Sequence, residues 1–257
     1  MFWQWVVRTY FPGTRGFFGR KELKALKRTT LATYFKFCSD YGIPEELRGK
    51  YNAQDSIIRF PNGSEIYLLD LAYLPSDPMY ERFGSLEFTD GFVEESGEVE
   101  AKCIEILTTR VGRQRNEEYN IPPKILETFN PNKGHIYTRY YKPYKEDTLP
   151  EYRKFIPALA TDNPKLPKSY IESLERASEV TRQRLLYGNF EYDDRPNKLI
   201  DYDDILDSFT NAGDRGERYI SLDVAGEGND NAVIAVWDGY FLLDYRKIAK
   251  CNPIELQ

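Results

Sequence analysis

Histidine occurs once in these 257 residues, at His135, and methionine only twice. A single imidazole excludes His-based catalytic triads and His-ligated metal centres as the main chemistry. Cysteine occurs three times, as Cys38, Cys103 and Cys251, with no close spacing. That excludes a disulfide framework and a Cys-rich zinc site, and it points to a reducing compartment such as a cytoplasm. No apolar run approaches the ~18 residues that suggest a bilayer span. The opening Met-Phe-Trp-Gln-Trp-Val-Val is apolar, but it lacks the basic flank and cleavage site of a signal peptide. No G-x-x-x-x-G-K-[ST] loop is found either, so the usual backbone cradle for nucleotide phosphates is missing from the sequence. Basic residues are outnumbered, 35 to 41, and the net charge of −6 argues mildly against tight nucleic-acid binding by the whole chain.

What is present is aromatic and patterned. Twenty Tyr and fifteen Phe favour an aromatic core with sheets, and 41% hydrophobic with 30% charged residues suits a globular protein. Arg15-Gly-Phe-Phe-Gly-Arg20 reads as a short strand leading into an amphipathic helix with Leu23, Leu26, Leu31, Tyr34, Phe35 and Cys38 near 3- and 4-residue spacing. Residues 56–60 and 64–71 alternate around Pro61-Asn62-Gly63, a hairpin signal. A strand follows at Phe88–Val93, then a helix from about Val99 to Arg110 with Ile104 and Leu107 inward. Lys124–Phe129 reads as a buried strand stopped by Asn130-Pro131, residues 155–160 as a short strand, and 168–190 as one helix. Strands alternating with helices indicate an α/β domain on a parallel sheet.

Composition changes after Phe190. Residues 191–217 hold six Asp from Asp193 to Asp207 and read as a linker. Three runs beyond it, 219–225, 232–237 and 240–245, predict an antiparallel meander. Locally basic stretches stand out against the acidic whole: Arg20, Lys21, Lys24, Lys27 and Arg28, and again Arg110, Arg113 and Arg115. Each suits either a solvated face or a DNA contact.

Three places carry chemistry. The Phe88–Val93 strand ends in Glu94 and Glu95, and a strand delivering an acidic pair to its C-terminal edge is how P-loop motors hold Mg²⁺ and polarise the attacking water. Consecutive residues on a strand face opposite ways, so the two acids can diverge, one toward metal and one toward water; two solvated acids at a loop start remain the plain alternative. The ending Thr128-Phe129-Asn130-Pro131 suits a polar sensor beside such a site, or simply a turn. Asp223 and Asp230 bracket a Gly-rich turn, a pattern that suits a two-metal nuclease and equally a hairpin loop. His135 follows the Asn-Pro turn and reads as a packing or hydrogen-bonding residue.

These stretches together resemble the large terminase subunit of tailed bacteriophages or prophages. The resemblance rests on Glu81–Glu95, Thr128–Pro131, Arg182–Glu191 and Asp223–Asp230, in the family's order over nearly the whole chain. It implies a partial P-loop-type parallel-sheet ATPase domain (1–190), a linker (191–217), and the first strands of an RNase H-like nuclease domain (218–257). It implies ATP-driven translocation and cutting of double-stranded DNA, with ATP and Mg²⁺ (Mg²⁺ or Mn²⁺ at the nuclease). The implied partners are a portal protein, a small terminase subunit and a homo-oligomeric ring at the capsid in the host cytoplasm, with no membrane. Carried over by residue, Glu94 resembles the Walker B metal-side acid and Glu95 the acid that activates water. Asn130 with Thr128 resembles the coupling motif, and Arg20 lies at a strand end near the nucleotide. Asp223 resembles a nuclease metal ligand and Asp230 an accessory acid. Glu94 departs from the commoner Asp. The family's Walker A loop would lie before Met1 and its further nuclease acids after Gln257, so the chain reads as truncated at both ends, and neither ATP hydrolysis nor DNA cleavage is expected of this polypeptide alone. The alternative is a non-catalytic remnant or assembly module; an RNase H-like resolvase with an unrelated first domain leaves Glu94-Glu95 and Thr128–Pro131 unexplained.

Overall fold

A computed structural model of the protein describes residues 1–192, 214–224 and 231–249. The chain divides into two compact units, Met1–Asp194 and Arg195–Gln257. Of the linker at 191–217, only the ends fall among the described residues, and Asp230 and Cys251 lie outside them.

The first unit is built on β1 (Arg15–Arg20), β2 (Lys50–Asn52), β3 (Ile57–Arg59), β4 (Glu65–Asp70), β5 (Asp90–Val93) and β6 (Lys124–Glu127). Their order in the sheet is β2-β3-β4-β1-β5-β6. From β4 to β6 all pairings are parallel, while β2–β3 and β3–β4 are antiparallel. The Pro61-Asn62-Gly63 hairpin is therefore as the sequence reads: Gly63 takes φ +80 and the Asn62 side-chain oxygen accepts from Ser64 N–H at 3.1 Å. β6 ends the sheet, so Lys124–Glu127 is half-buried rather than buried and Leu126 is 40% exposed.

Alternation along β1 builds the two cores. Phe17 joins Val93, Val99, Cys103, Ile104 and Leu107 on one face; Phe18 joins Leu26, Leu31, Tyr34 and Cys38 on the other. The first cluster includes the helix Ala101–Thr108, and the second the stretch running through α2 (Leu23–Leu26), a π-helical turn (Lys27–Leu31) and α3 (Ala32–Asp40). Helices on both faces are what a buried parallel sheet requires. Gly91 has no substitute here, because a Cβ on it would lie 2.2 Å from the Phe17 ring of the neighbouring strand.

A helix that the sequence pattern did not reveal, α1 (Phe2–Tyr10), buries Gln4, Val7 and Arg8. Their i, i+3, i+4 spacing is present in the sequence, but two of the three are polar, so the segment reads only as too short to span a bilayer. Arg8 and Asp90 form an ion pair at 2.7 Å with neither side chain exposed, and Trp3 Nε1 and Gln4 Nε2 also donate to Asp90. These contacts fix the start of β5.

Two expectations need correction. Residues 155–160 form no strand; Phe155 instead packs its ring among Phe129, Tyr141, Tyr144 and Phe190. The single helix at 168–190 is two, Lys168–Glu175 and Glu179–Leu185, because Ser178 takes an extended conformation and its hydroxyl accepts from Thr181 N–H.

In the second unit β7 (Arg218–Asp223), β8 (Asn231–Asp238) and β9 (Phe241–Ala249) form the expected antiparallel meander. Gly239, at φ +60, makes the β8–β9 turn. Every residue of β7 is exposed.

Candidate active site

The alternation of β5 aims Glu94. Phe92 contacts Phe18 on the α2–α3 face (ring centroids 6.0 Å apart), and Val93 enters the opposite core, so Glu94 returns to the α2–α3 face. Its N–H donates to Gly19 O at 2.9 Å, which carries the parallel pairing one residue past the strand and places Glu94 beside Arg20. One carboxylate oxygen, Oε2, then accepts three times: from Arg20 Nη1 at 2.8 Å, Thr29 Oγ1 at 2.6 Å and Thr30 Oγ1 at 2.6 Å. Charge-assisted bonds of this kind are the strong ones. Thr29 has a second acceptor within reach, Ala25 O at 3.0 Å, but only one proton to give. The shorter contact to the charged oxygen takes it.

Thr29 and Thr30 are consecutive, and neighbours on a regular helix do not face one another. Both belong to the π-helical turn Lys27–Leu31, whose wider winding brings an exposed Thr29 and a buried Thr30 to the same oxygen. Glu94 Oε1 has no donor among the described residues, and the side chain is 22% exposed. The carboxylate is thus held on one oxygen and open on the other.

Glu95 diverges from it as the sequence suggests. Its backbone is left-handed (φ 51, ψ 48), an uncommon state for a non-glycine residue that recurs at functional sites. Burial is the main influence on its carboxyl and raises the pKa above the ordinary value. Arg20 and Arg184 pull the other way, while Glu98 and Glu94 add to the rise. A carboxylate made more basic in this way is suited to accept a proton from water.

The end of β6 is stitched to the same place. Thr128 N–H donates to Val93 O, and Ser96 N–H donates to Thr128 O, both at 2.9 Å. Ser96 Oγ donates to one oxygen of Glu127 and Tyr140 Oη to the other. Burial and the Glu127 charge push the Tyr140 phenol pKa up. The side chains of Thr128 and Asn130 are exposed at this edge. His135 Nε2 lies 3.0 Å from Ser96 O and 2.8 Å from Val99 O. Carbonyls only accept, so Nε2 carries the proton, and His135 staples the turn after Glu95 as a structural residue.

The structure thus brings together Arg20, Glu94, Glu95 and the Thr128–Asn130 segment at the carboxyl ends of β1, β5 and β6. Sequence reasoning misses Thr29, Thr30 and Arg184. The only available signal for the threonines is two adjacent hydroxyls on a helix otherwise read by its apolar face. Arg184, whose Nε donates to Pro131 O at 3.0 Å, lies inside the Arg182–Glu191 stretch, where nothing local distinguishes it from Arg182.

Asp223 is placed differently. It ends β7 opposite Val233, is exposed, and has no side-chain partner among the described residues. No group of three or more His, Cys, Asp or Glu able to hold a metal occurs among the described residues. Mg²⁺ at the β5 end is a different matter, because Mg²⁺ on a nucleotide needs only one or two carboxylates and takes its other ligands from phosphates and water. The open Oε1 of Glu94 fits that need. No helix among the described residues is long and apolar enough to cross a membrane.

A mostly parallel sheet with helices on both faces defines an α/β fold whose candidate site, with its acid pair, lies at the carboxyl ends of the strands. Among solved structures, the chain is similar to the large terminase from a thermophilic bacteriophage in complex with ADP. The TM-score is 0.54 at 16% identity, over 93% of this chain and 57% of that one. A second crystal form of that terminase gives 0.54 at 15% identity, with the same coverage. Its complex with ATP-gamma-S gives 0.51 at 16% identity, over 96% of this chain and 58% of that one. The chain therefore spans a little over half the length of these terminases, and the likeness is one of fold. No protein-family model matches the sequence, and no curated protein matches it.

Proposed function

We propose that this chain works in a terminase-like, ATP-driven DNA-packaging motor. The observation that carries the proposal is the carboxylate of Glu94, held on one oxygen by Arg20, Thr29 and Thr30 and open on the other, in a fold shared with a terminase solved with ADP and ATP-gamma-S. Ligands of parallel α/β sheets bind outside the carboxyl ends of the strands, which is where these residues gather. Mg²⁺ bound with ATP supplies charge neutralisation for the phosphate oxygens. Glu94 would hold that ion through Oε1, and Arg20 with the two threonines keeps the carboxylate from turning away. Glu95, more basic than an ordinary carboxylate, takes the proton of the attacking water. Thr128, tied by backbone bonds to Val93 and to Ser96 in the turn carrying Glu95, would with Asn130 pass a change at the phosphate to β6. Double-stranded DNA, a portal protein, a small terminase subunit and a homo-oligomeric ring in the host cytoplasm belong to the same proposal. So does an RNase H-like role for the second unit, with Asp223 and Asp230 as metal ligands.

A non-catalytic assembly module is the second reading. Sequencing the source DNA on both sides of this frame separates the two. An in-frame G-x-x-x-x-G-K-[ST] upstream supports the motor; unrelated genes on both sides overturn it in favour of the module.

A further inference from the structure

Lys24, Lys27 and Arg28 line an open cleft of about 570 Å³ together with Leu23 and Asp70. Several exposed basic residues sit beside acids, as in Lys36–Asp40, Lys102–Glu105, Arg115–Glu118 and Arg182–Glu179. Lys21, Lys24, Lys27 and Arg28 have no ion-pair partner among the described residues. Lys24, Lys27 and Arg28 lie at i, i+3 and i, i+4 along the helical segment, the spacing at which like charges repel. Asp70 lines the same cleft but forms no ion pair with them; its oxygens accept from Leu23 N–H and Ala72 N–H, both at 3.0 Å, and three cations against one carboxylate leave the patch net positive. A chain of net charge −6 that concentrates unpaired cations on one helical face is arranged for a polyanion.

The same segment reaches the carboxylate. Lys27 and Arg28 open the π-helical turn, and Thr29 and Thr30, the next two residues, are the donors to Glu94. We infer that Lys24, Lys27 and Arg28 form a docking surface for the phosphodiester backbone of duplex DNA, and that the π-helical turn links that surface to Glu94. The inference rests on the motor reading for its partner. Phosphate on this face pulls on Lys27 and Arg28, and any change in the winding of the turn moves the two hydroxyls that hold the carboxylate.

The test is binding of a fluorescent 30-base-pair duplex by the 257-residue chain, followed by anisotropy across a salt series. Charge reversal of all three residues (K24E/K27E/R28E) is expected to weaken binding at least tenfold. It should also flatten the dependence of log affinity on log salt by roughly 2 to 3, since each neutralised phosphate contributes about 0.9 to that slope. K36E, which removes a cation paired with Asp40, should leave affinity within about twofold. Matching circular dichroism and melting curves establish that the variants fold. Wild-type binding that the triple variant retains, or no duplex binding at all, overturns the surface. Equal competition by inorganic triphosphate at the same phosphate concentration assigns the site to free phosphates and overturns the DNA assignment. In NMR titrations DNA should shift the Thr29 and Thr30 methyl signals in the wild type but not in the triple variant; unmoved threonine signals with DNA bound overturn the link. The motor reading fails separately, on the flanking sequence, whatever the outcome here.

Discussion

Glu94 and Asp223 each stand at the end of a strand, yet their settings differ in every physical respect. Glu94 follows a strand buried on both faces, and three donors from β1 and the π-helical turn converge on one of its oxygens. Asp223 ends a strand exposed along its whole length, with no side-chain partner among the described residues. An acidic residue at a strand end becomes a candidate site when neighbouring elements fix its geometry beforehand. The first unit meets that condition at β5, and the described part of the second does not at β7.

The harshest way to break this contrast is to remove the anchor beneath β5. Asp90→Ala leaves the Arg8 guanidinium buried and unpaired, and should destabilise the first unit by about 3–5 kcal/mol in urea unfolding. Asp223→Ala, at an exposed and unpartnered position, should stay within about 0.5 kcal/mol of wild type in the same assay. A cost below about 1 kcal/mol for Asp90→Ala would show that the buried ion pair does not hold β5 in place.

Thr30→Val tests the grip on Glu94 itself. The change is nearly isosteric and takes a buried hydroxyl from a charged acceptor, for an expected loss of about 1–2 kcal/mol. Thr29→Val should cost less, because its hydroxyl is exposed. Equal losses at the two positions would mean that burial does not rank the donors.

Glu95 gives a smaller effect, visible through pH. Its folded pKa is raised, so the folded state binds its proton more tightly than the unfolded chain does. Its contribution to stability is full below the ordinary Glu value and is lost as pH rises through the folded value. Glu95→Gln should flatten that loss, leaving the variant relatively more stable than wild type above this window. A pH–stability profile unchanged by the substitution would place Glu95 in open solvent.

Sequence makes the frame of this site legible and leaves its grip hidden. β1, the Pro61-Asn62-Gly63 hairpin and the inward Ile104 and Leu107 follow from local period and turn chemistry. They hold because neighbouring residues alone decide them. Glu94 and Glu95 are legible for the same reason, as acids at the end of an apolar run. The Arg8–Asp90 pair spans 82 positions and the Thr30–Glu94 bond 64, and no local pattern encodes such distances. The residues at 155–160 show the opposite failure. Their composition suits a strand, but Phe155 is drawn into an aromatic cluster, and tertiary packing overrides propensity.

The smallest expected effect is a null one at the second unit. The 257-residue chain with Mn²⁺ should not nick supercoiled plasmid above background, since Asp223 gathers no acid cluster among the described residues. Nicking that Asp223→Ala abolishes would contradict this.

The most direct test of the account is Mn²⁺·ATP titrated into the isotopically labelled chain, with paramagnetic broadening read residue by residue. It detects weak, fast-exchanging binding, so it does not depend on a complete phosphate cradle. Broadening is expected first at Glu94, Glu95, Thr29, Thr30 and Thr128, with Asp223 and its neighbours sharp. Broadening centred on Asp223, or none at the end of β5, would contradict the assignment of the nucleotide site.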